Sequence, residues 1–153
     1  MERRSETQTE TLPELACACA SIRRAARAVT QLYGDSLKGR LEASQFGLLA
    51  VLSKQPGCSQ AVLVKSLAID KTTLSRNLTL MKRNGWIGHG AAKDRRERGF
   101  ELTPAGRELL AAAKPDWKRA QERLRSAMTG KEWDAMWNVF RAVTRAAQEG
   151  RRA

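Results

Sequence analysis

Residues 58–103 constrain what this chain can fold into more than any other stretch. They read as a short helix, a turn, a second helix and a basic hairpin: SQAVLVKSLAID, then KTTLSRNLTLMKRNG, then WIGHGAAKDRRERGFELT. Ser59 is placed to cap the first of these helices, whose apolar members Val62, Leu63 and Leu67 follow, because a serine hydroxyl satisfies a first-turn amide. Ala68-Ile69 make the turn, Asp70 or Thr72 caps the next helix, and Leu74, Leu78 and Met81 give that helix an inward face. Gly85 is its stop, since the residue after a helix often turns left-handed and glycine does so without strain. Residues 86–89 and 99–102 are short strand candidates around a turn too charged to be core. The order is that of a winged helix-turn-helix. The fold class expected is therefore mainly α with a small β-hairpin wing.

Reading a duplex through its major groove calls for short polar side chains near the start of a helix. Lys71, Thr72, Thr73, Ser75, Arg76 and Asn77 meet that need. At about 100° per residue, Thr72, Thr73, Arg76 and Asn77 are expected to share one sector, opposite Leu74, Leu78 and Met81. Arg76 suits a bidentate pair with guanine, Asn77 one with adenine, and Thr73 a thymine methyl. In the hairpin, Arg95 at the tip suits a narrow minor groove with its enhanced negative potential. Lys93, Arg96 and Arg98 suit phosphates, and Asp94 can pair with an arginine to shape the turn. Any one of these residues fits an ordinary solvated face equally well. What favours a duplex is the whole set, in this order, beside this hairpin. The net charge of +12 agrees, because so basic a balance calls for a polyanionic partner. Between positions 71 and 98 the only anions are Asp94 and Glu97.

The remaining sequence divides around that unit. Residues 1–11 are polar with no apolar signal region and read as a disordered tail. No run of about 18 apolar residues exists to span a membrane, so residence in the cytoplasm is expected. Residues 12–40 hold a helix from Leu12 to about Leu37, with Pro13 in its first turn. Its apolar stripe is Leu15, Cys19, Ile22, Ala26, Val29 and Tyr33, and Gly34-Asp35 is expected to fray or kink its end. Residues 41–103 form the winged unit, including a helix over 42–54. In residues 104–150, Thr103-Pro104 opens a helix, a break is expected at Lys114-Pro115, and a further helix covers 117–127. Thr129 with Glu132 makes a capping box for a last helix striped by Trp133, Met136, Trp137, Phe140 and Val143. The apolar faces of the outer helices need a partner. A second copy, forming a homodimer, is favoured over a monomeric bundle.

Residues 41–110 resemble the MarR family of bacterial transcription regulators. The likeness is carried by LEASQFGLLAVL, by SLAIDKTTLSRNLTLMKRNGWI, and by DRRERGFELTPAGRELL at the junction of wing and helix. The resemblance implies a dimer built from the N- and C-terminal helices, holding pseudo-palindromic operator DNA, usually as a repressor, and released by a ligand or by oxidation. It carries Thr72, Thr73, Ser75, Arg76 and Asn77 to the recognition helix and Asp94, Arg95 and Arg96 to the wing. One departure lies at Gln60-Ala61 and Lys65-Ser66-Leu67, where members often carry an acidic residue. The competing reading is a nonspecific architectural nucleic-acid-binding protein. An enzyme is not expected: no nucleophile–base set, metal cluster or glycine-rich phosphate loop appears, and His89 is the lone histidine. Neither a cofactor nor a metal is called for.

Cys17, Cys19 and Cys58 are the only cysteines. Cys17 and Cys19 are separated by about 200° on a helix, so they cannot easily bond each other while it is intact. The segment CASIRRAARAVTQLY is similar to the same region of organic-hydroperoxide-sensing members of that family. There the cysteine matching Cys19 is oxidised, and a tyrosine matching Tyr33 hydrogen-bonds it. The sequence departs at Arg23, where those sensors carry a second tyrosine; Arg23 either sets a cation beside the thiol or faces solvent. Alternatively Cys19 is a small buried packing residue. Cys58 is a candidate resolving thiol across a dimer. A small aromatic anion is the other effector considered, in a crevice between the outer helices and the winged unit near Arg23, Arg27, Trp117 or Trp137.

Overall fold

Short polar caps set the boundaries of nearly every helix. In the computed structural model, which describes residues 17–90 and 99–151, the elements run α1 (Ala18–Ser36), α2 (Ala43–Lys54), β1 (Cys58–Ser59), α3 (Gln60–Leu67), α4 (Lys71–Arg83), β2 (Ile87–Gly90), β3 (Gly99–Leu102), α5 (Pro104–Ser126) and α6 (Gly130–Glu149). Glu42 and Gln45 close a reciprocal capping box at α2, and Thr129 and Glu132 do the same at α6. Ser59 accepts from the Val62 amide and opens α3. Pro13 and the expected first turn of the N-terminal helix lie outside the described residues, as does the tail.

The strands form one three-stranded antiparallel sheet in the order β1-β3-β2. His89 pairs with Phe100, and Gly90 with Gly99 at the far end of the hairpin. The β1 strand was not anticipated. Gly57 takes φ +78 and donates its amide to the Phe100 carbonyl at 2.9 Å, so the Pro-Gly break delivers Cys58 and Ser59 to the edge of the sheet. Ala68 also surprises. It ends α3 in the left-handed conformation, φ 51, usually left to glycine.

One break expected from sequence does not occur, and Gly34-Asp35, expected to fray or kink the end of its helix, stays within it. Gly34 and Asp35 are helical, and α1 runs on to Ser36. Pro115 sits inside a single continuous α5 rather than splitting it. An internal proline removes one amide and crowds a carbonyl of the preceding turn, yet packing holds this segment in place. Ala113, Asp116 and Ala120 are all buried. Asp116 accepts from Arg119 and faces Arg40 at 3.9 Å, while Arg40 also donates to the Ala112 carbonyl. The side chains on both sides of the proline are thus tied down.

One core joins α2, α3, α4, the sheet and the first half of α5. Leu37, Leu48, Leu49, Leu52, Leu63, Leu74 and Met81 are its fully enclosed members. Trp117 of α5 stacks on Phe46 of α2 at 5.6 Å, and Tyr33 of α1 tilts against the same indole at 6.2 Å. Among the described residues, that junction is the ring contact that ties α1 to the winged unit. Neither α1 nor α6 has a single buried residue.

The wing is fastened to the start of α5 by Thr103. Its hydroxyl donates to the Gly85 carbonyl at 2.6 Å and accepts the Gly106 amide at 3.1 Å, and its own amide donates to the Trp86 carbonyl at 3.1 Å. The same crossing explains Gly106: a β-carbon there would stand 1.9 Å from the Trp86 carbonyl oxygen. Because backbone cannot yield as a side-chain tip can, Gly106→Ala is expected to lose about 1–3 kcal/mol of stability. Urea unfolding measures it, and a variant as stable as the parent would show that this crossing is looser than described.

Candidate nucleic-acid interface

The rotation of α4 about its own axis decides which side chains face outward. Leu74, Leu78 and Met81 are buried, and Lys71, Thr72, Thr73, Ser75, Arg76, Thr79 and Arg83 are exposed. The helix contains no acidic residue. Its start is fixed by Asp70, which accepts the Thr73 amide at 2.8 Å and the Thr73 hydroxyl at 2.6 Å. Its end is a Schellman closure: the Gly85 amide donates to Lys82, and the Trp86 amide reaches back to Met81, each at 2.9 Å. The helix is therefore pinned at both ends and along one face. What remains is an outer strip of three short hydroxyl side chains, one arginine and one lysine at the N-terminal half.

Asn77 does not belong to that strip. It is 7% exposed, and its amide nitrogen donates to the Ser44 hydroxyl on α2 at 3.4 Å. The reason is angular. Asn77 stands about 100° from Arg76 but only about 40° from Met81, so it falls with the inward set. It serves as a polar bolt between α4 and α2. Thr73 is also only partly available, because its hydroxyl is committed to Asp70.

Lys93, Asp94, Arg95, Arg96 and Arg98, the residues expected at the wing, fall outside the described residues. The strands that bracket them are in place, and His89 on β2 packs against Phe100 at 6.0 Å between ring centres.

The expected sensing residues are spread along α1. Cys17 and Cys19 are exposed, so Cys19 is not a packing residue within one chain. Arg23 faces solvent. Tyr33 lies about 21 Å from Cys19 along the helix and gives its hydroxyl to Gln121 of α5 instead. Partial burial pushes the Tyr33 phenol up from its ordinary pKa. Cys58 is buried in the sheet and donates to the Gln55 carbonyl at 2.9 Å. That placement removes it from the role of an accessible resolving thiol. Trp117 is spent on packing, whereas Trp137 lines an apolar groove of about 620 Å³ between α1, α5 and α6, together with Ile22, Val29, Tyr33 and Phe140. The residue that sequence reasoning missed altogether is Asp116, beside the break expected at Lys114-Pro115.

Residues 41–97 match the profile of the MarR family. The transcriptional regulator MosR of M. tuberculosis, in its crystal structure with DNA, superposes with a TM-score of 0.75 at 34% identity, over 87% of this chain and 97% of that one. The transcriptional regulator HosA of Escherichia coli is 28% identical over 108 residues, which is 69% of this chain and 79% of HosA. BpsR of Bordetella bronchiseptica, whose DNA binding is regulated by 6-hydroxynicotinic acid, shares the fold at a TM-score of 0.75, with 24% identity over 84% of this chain and 94% of that one. No described helix is long and apolar enough to cross a membrane.

Two measurements check this geometry. Asn77→Ala loses its bond to Ser44 and should lower stability by about 1–2 kcal/mol, while the exposed Arg76→Ala should stay within about 0.5 kcal/mol of the parent. The reverse order in chemical denaturation would put Asn77 outside. The second concerns the cap. The Thr73 hydroxyl, followed by the Thr73 amide, holds the Asp70 carboxyl below the usual carboxylate range. A lowered folded-state value means that the cap contributes fully above the unfolded Asp pKa of about 3.9, and is lost as pH falls through the lower folded value. The stability gap between the parent and Asp70→Ala should accordingly be open at neutral pH and close in strong acid. A gap that does not change with pH would contradict the charged cap.

Proposed function

The chain belongs to the MarR family, and on that premise we propose that it acts as a homodimeric, sequence-specific repressor that leaves its operator when a small ligand or a thiol oxidant acts on it. It is a transcriptional regulator of the MarR type, and its relatives are regulators rather than enzymes. The observation that carries the finer reading is the outward strip of α4: exposed Lys71, Thr72, Ser75 and Arg76 on a helix without an acidic residue. In this reading Arg76 pairs with a guanine edge, Thr72, Thr73 and Ser75 make short-range contacts to bases and phosphates, and Lys71 takes a phosphate. Lys93, Asp94, Arg95, Arg96 and Arg98 serve the minor groove and the flanking backbone.

The outer helices support the homodimer. Ile22, Val29, Trp137, Val139, Phe140 and Val143 are exposed large apolar residues on two helices with no buried side chain. Apolar surface in one continuous patch of that kind marks an association face. A two-fold through it would pair two α4 helices for half-sites one helical turn, about 34 Å, apart.

Release has two candidate triggers. The apolar groove beside Trp137 suits a small aromatic effector. Cys19 suits an oxidant, being exposed near the start of α1. A Cys19–Tyr33 pairing would have to form between copies, given their separation along one helix.

Gel shift against the protein's own promoter region tests the repressor reading. Binding should fall steeply with salt yet survive competitor DNA, and Arg76→Ala should lose about 1–3 kcal/mol of affinity with relaxed base preference. Salt-sensitive binding with no preferred site would favour the architectural alternative. For the trigger, organic peroxide should release the parent and spare Cys19→Ser. Equal release of both would dismiss Cys19.

A further inference from the structure

Base reading leaves one basic trough unexplained. It holds about 530 Å³ between α3, α4 and the sheet, and Lys71, Lys82, His89 and Phe100 are among the residues that line it. The Lys82 ammonium is held there from two sides. It lies 4.9 Å from the centre of the Phe100 ring, and 3.1 Å from Nε2 of His89. An ammonium can only donate, so Nε2 accepts in this contact. Among the described residues no carboxylate lines the trough, and the ion pairs found, Asp116 with Arg40 and Arg119, lie elsewhere. Glu101, next to Phe100 on β3, is exposed where Phe100 is buried, as strand alternation requires. A half-buried lysine steadied by an aromatic face and an imidazole, with no carboxylate beside it among the described residues, leaves room for an anion.

The placement of the trough says what supplies that charge. Lys71 and Lys82 fall within about 20° of each other around α4 and stand about 16 Å apart along its axis. Their stripe is about 120° round the helix from Arg76 on the Lys82 side. A helix about 10–12 Å across fills a major groove about 12 Å wide. With Arg76 turned to the base edges, a flank so far round faces a wall of the groove, which is sugar-phosphate backbone. Two lining cations about 16 Å apart along the helix suit a run of phosphates better than one compact anion.

We propose that this trough seats consecutive phosphates of the strand that walls the major groove on the wing side, with Lys71 and Lys82 as its two cationic contacts and Phe100 and His89 positioning the second. The assignment rests on α4 being the groove-reading helix. Fluorescence anisotropy of the full chain on a labelled mixed-sequence duplex, across a salt series, tests it. Because each duplex takes two copies, Lys71→Gln and Lys82→Gln should each lower the log–log salt slope by about two per dimer, and the double variant by about four. Lys82→Arg should keep the slope. Thermal melts accompany each variant, and Lys71, being exposed, gives a readout even if Lys82→Gln unfolds. A double variant that folds and keeps the parent slope overturns the trough assignment while leaving the regulator reading intact. A parent that binds no duplex at all removes the reading beneath it. Unchanged slopes, together with release of the parent by inorganic phosphate at constant ionic strength, would assign the trough to a free anion and overturn the proposal.

Discussion

The rotational setting of α4 is the constraint on which the rest depends. Leu74, Leu78 and Met81 press into the core, and Asn77 reaches Ser44 on α2. Four inward side chains over two turns leave the helix no freedom to roll. The Asp70 cap and the Schellman closure at Gly85 prevent it from sliding. Everything outward, including the exposure of Arg76 and the flank bearing Lys71 and Lys82, follows from what is held inward. A surface helix meant to meet a duplex needs that rigidity, because each contact to a base edge is worth only a few kcal/mol and is lost with poor alignment.

Around this fixed helix the chain uses a second, looser kind of construction. The winged unit is closed by its own core and by the Thr103 strap over Gly85 and Trp86. By contrast α1 and α6 carry large apolar residues that stay exposed among the described residues, including Trp137 and Phe140 of an edge-on series that begins at Trp133. Among the described residues, the ring contacts linking the two regions pass through Trp117, between Phe46 and Tyr33. A change in how the outer helices pack would thus be felt at α2, and α2 holds α4 through Ser44. The outer helices and α4 are thus joined through α2, by Trp117 on Phe46 and by Asn77 on Ser44.

Much of this was legible in the residues. The caps at Ser59, Thr103 and Thr129, the stop at Gly85 and the apolar triplet of α4 all announce themselves by residue type and spacing. What was not legible depended on long-range packing. The β1 strand is two residues long and exists only because β3 is beside it. Pro115 reads as a break, yet buried neighbours and the Asp116 contacts hold the helix through it. The left-handed turn at Ala68 has no glycine to mark it. Asn77 was placed outward by composition, since asparagine is a common base reader, although its angle lies closer to Met81 than to Arg76. Charge alone could not have separated Lys71 and Lys82 from the other cations; the trough between them appears only when the hairpin is folded against α4.

Base-resolution footprinting of the protein on genomic fragments that it selects is the most direct measurement of whether paired α4 helices read DNA. Two protected half-sites of related sequence, about 10 base pairs apart centre to centre, are the predicted result. A single protected stretch without a repeated half-site, or protection that follows no sequence, would contradict it.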